Sequence, residues 1–289
     1  MHTEAKLQTS HSFRMGKIRC SPVVDGTFTY PANWFFRNIT DAGEELRRRN
    51  LPSDEVTTPY SCLLVETGTK RVLIDTGAGP LAPTTGQVLF RLQELGLSAE
   101  DIDVVILTHG HPDHIGGAVG ADGKPAFTNA RYVMTANEWN FWTSDQIDLS
   151  SASLPDDIKH LLVSFARRAL PPIRQQLELV ERPCEIVTGV HCIPAPGHTP
   201  GHLAVLITSG RDQLLHAADA VLHPLHAEHP EWQSLFDLVP DDAATTRRKL
   251  LDRAATEDML LMAYHFVSLT PGKVRPEGEG WKWEPINFG

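Results

Sequence analysis

The run Val104-Val105-Ile106-Leu107-Thr108-His109-Gly110-His111-Pro112-Asp113-His114-Ile115-Gly116-Gly117 decides how this chain is read. Four apolar residues, two Val and one Ile among them, predict a buried strand. That strand runs straight into a turn carrying three imidazoles and one carboxylate within six positions. Neutral imidazole and carboxylate suit zinc, iron or manganese, and a loop at a strand end can aim them inward from a rigid base. Pro112 and the Gly116-Gly117 pair stiffen and bend the loop. One histidine at a strand end is ordinarily a hydrogen-bonded core residue. Three of them with an aspartate at this density predict ligand chemistry.

Around this loop the composition is that of an ordinary globular protein. The 289 residues are 41% hydrophobic and 21% charged, enough for a large core in a single domain over 1–289. A net charge of -10, without clustered Lys and Arg, argues against nucleic acid as a partner. Cys20, Cys62, Cys184 and Cys192 form no Cys-x-x-Cys pair and are expected to be reduced core residues. Residues 1–18 have no apolar leader-like core, and no run is long enough to cross a bilayer. A soluble cytoplasmic protein without a membrane partner is expected, acting on a small molecule, with a homodimer as the assembly to test.

Residues 18–24 read as a first strand ending at the Asp25-Gly26 turn, followed by an aromatic stretch, 27–36, without helical or strand period. Its rings Trp34, Phe35 and Phe36 are core candidates that could also line an apolar pocket. A hairpin follows (61–66 and 71–74), then a helix over 87–95 stopped by Gly96, and an N-cap with a following acid at Ser98 to Asp101. A strand over 131–135 leads into a helical turn over 137–142. Residues 144–180 read as a helical insertion between halves 17–143 and 181–289: one helix through Ile158, Leu161, Leu162 and Phe165, a break at Pro171-Pro172, and a second helix over 173–180. Strands follow over 191–194, 203–208 and 213–217, then a helix over 245–256 whose arginines read as a solvated face. The tail with Trp281, Trp283, Pro285 and Phe288 packs on the core. Strands ending in Asp75 and Asp219, and in His109 and His265, hint at two related halves.

His109-x-His111-x-Asp113-His114 after an apolar strand resembles the signature of the metallo-β-lactamase superfamily, and Ala195-Pro196-Gly197-His198-Thr199-Pro200-Gly201-His202 is similar to its next motif. The resemblance implies an α/β fold, a four-layer αββα sandwich with two metals at the seam between its sheets. Carried over by motif, it makes His109, His111 and His198 the ligands of one metal, Asp113, His114 and His265 those of the other, and Asp219 the bridge. Asp75, in its Asp-Thr-Gly turn, is implied to brace the metal loop, with His202 also behind the ligands. Zinc is the default ion, with manganese, iron or cobalt as alternatives. Two such cations about 3.5–4 Å apart activate a shared water and clamp the attacking and leaving oxygens.

Within the superfamily, the segment from Asp219 to Pro224, His229 to Trp232 and His265-Phe266 resemble the branch of N-acyl homoserine lactonases and methyl parathion hydrolase-like enzymes. The expected reaction is lactone opening by a hydroxide held between the metals, with Asp113 relaying a proton. Organophosphate triesters, other esters or thioesters, and β-lactams are the rival substrates, and a structural zinc site is the non-enzymatic reading. Trp34, Phe35, Phe36, Trp142 and His223 are the candidate substrate contacts, and the polar His223 is the ground for preferring a lactone.

Overall fold

Near-continuous apolar runs, whose successive residues face opposite sides, build two sheets that bury both faces. In the computed structural model, which describes residues 12–286 apart from 38, 40, 41 and 151, the first sheet contains β1 (Phe13–Met15), β2 (Ile18–Pro31), β3 (Glu55–Glu66), β4 (Arg71–Ile74), β5 (Val104–Ile106), β6 (Arg131–Thr135) and β7 (Leu177–Val180), neighbours in that order. The second contains β8 (Cys184–Val187), β9 (Val190–Pro194), β10 (Leu203–Ser209), β11 (Asp212–His216), β12 (Leu260–Met262), β13 (Gly272–Glu277) and β14 (Gly280–Pro285), likewise in chain order. Val72 and Ile74 meet Leu203, Val205 and Ile207 in the layer between the sheets. Leu73 and Val105 turn the other way, under α3 (Val88–Glu94), α5 (Ala136–Thr143) and α6 (Asp156–Ala169), whereas Ala204, Leu206 and Leu215 meet α8 (Pro240–Thr256). Helices outside two facing sheets are the αββα sandwich. Each fully buried aliphatic side chain contributes about 1.5–3 kcal/mol to it. Three shorter helices, α1 (Ala32–Phe35), α2 (Ala42–Arg48) and α7 (Pro224–Glu228), pack Phe35, Leu46 and Leu225 into a satellite core. Among the described residues no helix is long and apolar enough to cross a membrane.

Several local expectations are corrected. Asp25-Gly26 is not a turn. The β2–β3 register shifts between Val24 and Gly26, so Asp25 occupies a bulge, and β2 continues for 14 residues in all. The bulge aims the Asp25 carboxylate at the backbone N–H groups of Ala78, Gly86 and Val88, which it accepts at 2.9, 3.0 and 3.1 Å. Residues 173–180 are not a helix. Pro171–Gln176 is a 3-10 turn, and Leu177–Val180 pairs parallel to β6 as the edge strand of the first sheet. Gln176 fixes the change by donating to the carbonyls of Thr128 and Ala130. The first sheet therefore extends through residue 180, past the expected break at 143. The tail forms the β13–β14 hairpin, with Trp283 donating to the Leu261 carbonyl at 3.0 Å; Phe288 lies outside the described residues. The four cysteines are free, and all but Cys184 are buried.

Candidate metal centre

Every candidate ligand sits just beyond the end of a strand. β5 delivers His109 and His111, and the short helix α4 (Pro112–Ile115) turns Asp113 and His114 back toward them. His198 comes from the loop between β9 and β10, Asp219 from a 3-10 turn after β11, and His265 from the turn after β12. Tight backbone contact holds these loops together. A side chain at Gly197 would meet the Ala243 backbone at 2.1 Å, and one at Gly201 the Glu138 backbone at the same distance.

Four of the five candidate rings, all but His111, are braced through the outer nitrogen. His114 Nδ1 lies 2.8 Å from Asp75 Oδ2, and Asp75 also accepts from the backbone N–H and hydroxyl of Thr108. The His109 Nδ1 rests on the Thr108 hydroxyl at 3.1 Å, and His198 Nδ1 on Asp237 Oδ1 at 2.9 Å. His265 Nδ1 lies 3.3 Å from both the Thr58 hydroxyl and the Pro59 carbonyl. A carboxylate or carbonyl at one nitrogen fixes the proton there and leaves the other lone pair for a ligand.

The inner atoms converge. His198 Nε2 is 3.0 Å from His111 Nδ1 and 3.4 Å from Asp219 Oδ2. On the other side, His265 Nε2 is 3.4 Å from Asp113 Oδ2, and His114 Nε2 is 3.6 Å from Asp113 Oδ2 and 3.3 Å from Asp219 Oδ1. These atoms form three groups: His109, His111 and His198; His109, His114 and Asp219; Asp113, His114 and His265. Such spacings are what ligands about 2.0–2.2 Å from a shared cation require. His109 Nε2, His114 Nε2 and Asp219 Oδ1 are buried and lack a hydrogen-bond partner, a costly arrangement that a cation would relieve. The donor set, imidazole and carboxylate without cysteine, fits zinc, manganese, iron or cobalt.

The electrostatics follow from the packing. Burial and neighbouring imidazoles hold His109 and His111 well below the ordinary histidine pKa. Burial opposes charge at His114 and His265 as well, yet Asp219 and its neighbouring carboxylates outweigh it and raise both, His265 to about 9. His202 is different: Nδ1–H donates to the Ala195 carbonyl and Nε2 accepts from the Asp219 N–H, so both nitrogens are engaged. Burial lowers its pKa to about 3 and keeps it neutral, behind the cluster.

Two buried carboxylates beyond those expected tie the loops down. Glu138 accepts from Gly110 N–H, Gly201 N–H, the Thr199 hydroxyl and Trp142 Nε1, joining both histidine motifs. Asp237, behind His198, faces Arg247, which is fully buried rather than part of a solvated face and also donates to the carbonyls of Ala220, Pro230 and Trp232.

Above the cluster opens a cavity of about 490 Å³. Trp34 and Phe35 line it as expected, with Tyr30, Tyr60 and Phe236 beside them, and α6 closes it with Ile158, Leu161 and Leu162. Three candidates do not line it. Phe36 is buried against the His223 ring, 5.3 Å between centroids. The His223 Nδ1 instead caps α7, accepting from Leu225 N–H at 3.1 Å. Trp142 lies fully buried behind His111, tethered to Glu138. The alternation Thr27, Phe28, Thr29, Tyr30 was the missed signal for the cavity wall, since it continues β2 past its bulge.

A family model for the metallo-beta-lactamase superfamily matches residues 57–265, from within β3 to the last candidate ligand. An N-acyl homoserine lactonase of Bacillus sp is 27% identical over 176 residues, 54% of this chain and 61% of its own length. A probable metallo-hydrolase of Mycobacterium tuberculosis is 31% identical over 196 residues, 56% of each chain. The chain thus spans about three fifths of the length of these curated relatives. Among solved structures, AidC, a dizinc quorum-quenching lactonase in complex with a product, is similar at TM-score 0.90 and 26% identity over 98% of this chain and 99% of that one. The hydrolase AbOPH is similar at TM-score 0.85 and 26% identity, over 97% of this chain and 98% of that one. The family model covers every one of the candidate ligands at the strand ends of the two facing sheets, and the chain belongs to the metallo-beta-lactamase superfamily.

Proposed function

We propose that this protein is a two-metal hydrolase that opens the ring of a lactone, of the N-acyl homoserine lactone type. The observation that carries the reading is an apolar cavity with the His/Asp cluster at its base, in a chain similar along its length to a dizinc quorum-quenching lactonase. In this reading His109, His111 and His198 hold one cation, Asp113, His114 and His265 the other, and Asp219 lies between. Two zinc ions, or manganese, iron or cobalt in their place, would supply an activated water and Lewis-acid stabilisation of oxygen charge.

The chain's own residues supply the rest. Asp219 reaches both groups, with Oδ2 3.4 Å from His198 Nε2 and Oδ1 3.3 Å from His114 Nε2. Asp113 is the more exposed of the two carboxylates, at 13% against 3%, so its Oδ2 is the atom we assign to carry the proton. In ring opening the oxygen of water bonds to the ring carbonyl carbon, the carbon–oxygen ring bond breaks, and Asp113 delivers the proton to the departing ring oxygen. Trp34, Phe35 and the α6 leucines would receive the acyl chain and exclude water. The four free cysteines fit a reducing, cytoplasmic setting, and a homodimer is to be tested by light scattering.

A second reading has its own support. Without His223 in the wall, the cavity's aromatic lining suits an aryl phosphotriester as well as an acyl chain. The two are separated by a pH-indicator assay on homoserine lactones of several chain lengths, beside an aryl phosphotriester and a β-lactam, on one metal-loaded preparation. Higher kcat/KM for the phosphotriester or the β-lactam than for every lactone would overturn the lactone assignment.

A further inference from the structure

We infer that the hydroxyl of Tyr30, oriented by Tyr60, donates a hydrogen bond to the scissile ester of the bound substrate, at the oxygen where negative charge collects. The inference rests on the reading of the site as ester-opening and concerns two residues that the ligand motifs do not include.

The proton count is the first ground. Tyr30 and Tyr60 both line the cavity, and their hydroxyls are hydrogen-bonded to one another. A pair of hydroxyls carries two protons, and their mutual bond uses one. Tyr60 is fully buried, whereas Tyr30 is half-buried at the cavity wall. A buried hydroxyl whose proton has no acceptor is costly. Tyr60 therefore donates to the Tyr30 oxygen, and the proton left over is that of Tyr30, next to the cavity.

The surroundings are the second ground. The Tyr30 ring packs against Phe35, Phe236 and Phe28 at 5.3, 5.6 and 4.8 Å between centroids, so its hydroxyl is a polar group in an apolar wall. Such a group is poorly compensated unless the ligand meets it. The Tyr60 ring in turn lies 5.6 Å from the His265 ring, which places the pair on the Asp113 and His265 side of the cluster. A phenol, with an ordinary pKa of about 10, keeps its proton at neutral pH and can donate without ionising. A fixed donor beside the reacting group stabilises charge that develops in the transition state more than it binds the ground state.

The test compares Tyr30→Phe, Tyr60→Phe and the double variant with the wild type, all metal-loaded, on an N-acyl homoserine lactone and on a simple γ-lactone without the amide. Tyr30→Phe is expected to lower kcat about 10- to 100-fold on both substrates, with KM changed less than about threefold. Tyr60→Phe should lower kcat less, about 3- to 10-fold, and the double variant should be no worse than Tyr30→Phe, because Tyr60 acts through Tyr30. Calorimetric binding of the ring-opened N-acyl homoserine should weaken about tenfold in Tyr30→Phe, while metal content and melting temperature stay as in the wild type. A rise in KM at unchanged kcat, an effect confined to the amide-bearing substrate, or additive losses in the double variant would overturn the inference. If the wild type opens no lactone, the lactone reading fails on its own. The donor is then judged by the same kcat loss on the aryl phosphotriester, whose phosphoryl oxygen would accept the same bond.

Discussion

Asp237 offers the sharpest test of the site, because it does not line the cavity and lies 39 positions from His198 in sequence. Its carboxylate is fully buried between His198 Nδ1, at 2.9 Å, and Arg247, at 3.4 Å, and it also accepts from Ser234 N–H at 3.0 Å. Burial alone would raise its pKa; the bond to His198 and the charge of Arg247 more than reverse this and bring it down to about 2. A folded pKa below the ordinary value of about 3.9 means that the stabilisation is present above pH 4 and is lost as pH falls toward 2. At 1.36 kcal/mol per pKa unit it amounts to roughly 2–3 kcal/mol. Asp237→Ala removes this and leaves a buried guanidinium without its anion, for a total cost of about 3–5 kcal/mol. In a chain of this size that is a fall in melting temperature of roughly 5–8 °C at saturating metal. The site should suffer separately. Without Asp237 nothing fixes the His198 proton on Nδ1, and affinity for the metal it binds should drop about 10- to 100-fold. Competition against a chelating indicator measures this directly. Asp237→Asn is the control: its Oδ1 still accepts from His198 Nδ1–H, so the affinity loss should stay within about fivefold although Arg247 loses its anion. Wild-type affinity for both metals in Asp237→Ala would refute the reasoning.

Three further outcomes are expected. Purified protein should carry about two metal equivalents per chain, as elemental analysis would show, and a preparation fully active with none would end the two-metal account. Asp219→Asn and His114→Ala should each lower turnover more than about a thousandfold while the far-ultraviolet circular dichroism is kept, because the sheets rest on apolar strands; loss of the folded signal in both would point to a structural zinc site instead. Leu161→Trp, on the α6 wall, should lower kcat/KM for long-chain homoserine lactones about tenfold or more and spare short ones, and equal effects at all chain lengths would remove α6 from the acyl-chain path.

The floor of the site was legible because its chemistry is local. His109, His111, Asp113 and His114 lie within six positions, and strands such as Arg71–Ile74 and Arg131–Thr135 were found at their bounds because a buried strand needs only a short β-branched or apolar run. The walls were not legible in the same way. Tyr30 and Phe236 meet at 5.6 Å although they are 206 positions apart, and the Leu161 that faces them comes from a third segment. A side chain's sequence neighbours do not say whether it faces a cavity or a core. Phe35 reaches the cavity as well as the satellite core, whereas the adjacent Phe36 packs in that core alone, because the chain leaves the helix at Phe36 with φ -126° and ψ 77°. His223 illustrates the same limit: a polar ring four positions from Asp219 in sequence is spent on capping α7.

The two halves show why equivalent positions can take different roles. In each sheet the fourth and fifth strands run parallel, β4 with β5 and β11 with β12, and an acid follows the fourth in a turn with a positive φ, 62° at Asp75 and 45° at Ala218 just before Asp219. The backbone device is shared; the partners differ. Behind Asp75 lies Thr108, whose N–H and hydroxyl both donate to it, and the His114 Nδ1 takes up its Oδ2. Its acceptor capacity is spent on protein donors, so it fixes a ring. Asp219 has its own N–H satisfied by His202, and its Oδ1 has no hydrogen-bond partner although His114 Nε2 lies 3.3 Å away. Its Oδ2 lies 3.2 Å from His265 Nε2 and its Oδ1 is left open between the two histidine groups, and that difference in donors behind the strand end, more than position in the sheet, is what suits one aspartate to brace a ring and the other to the proposed bridge.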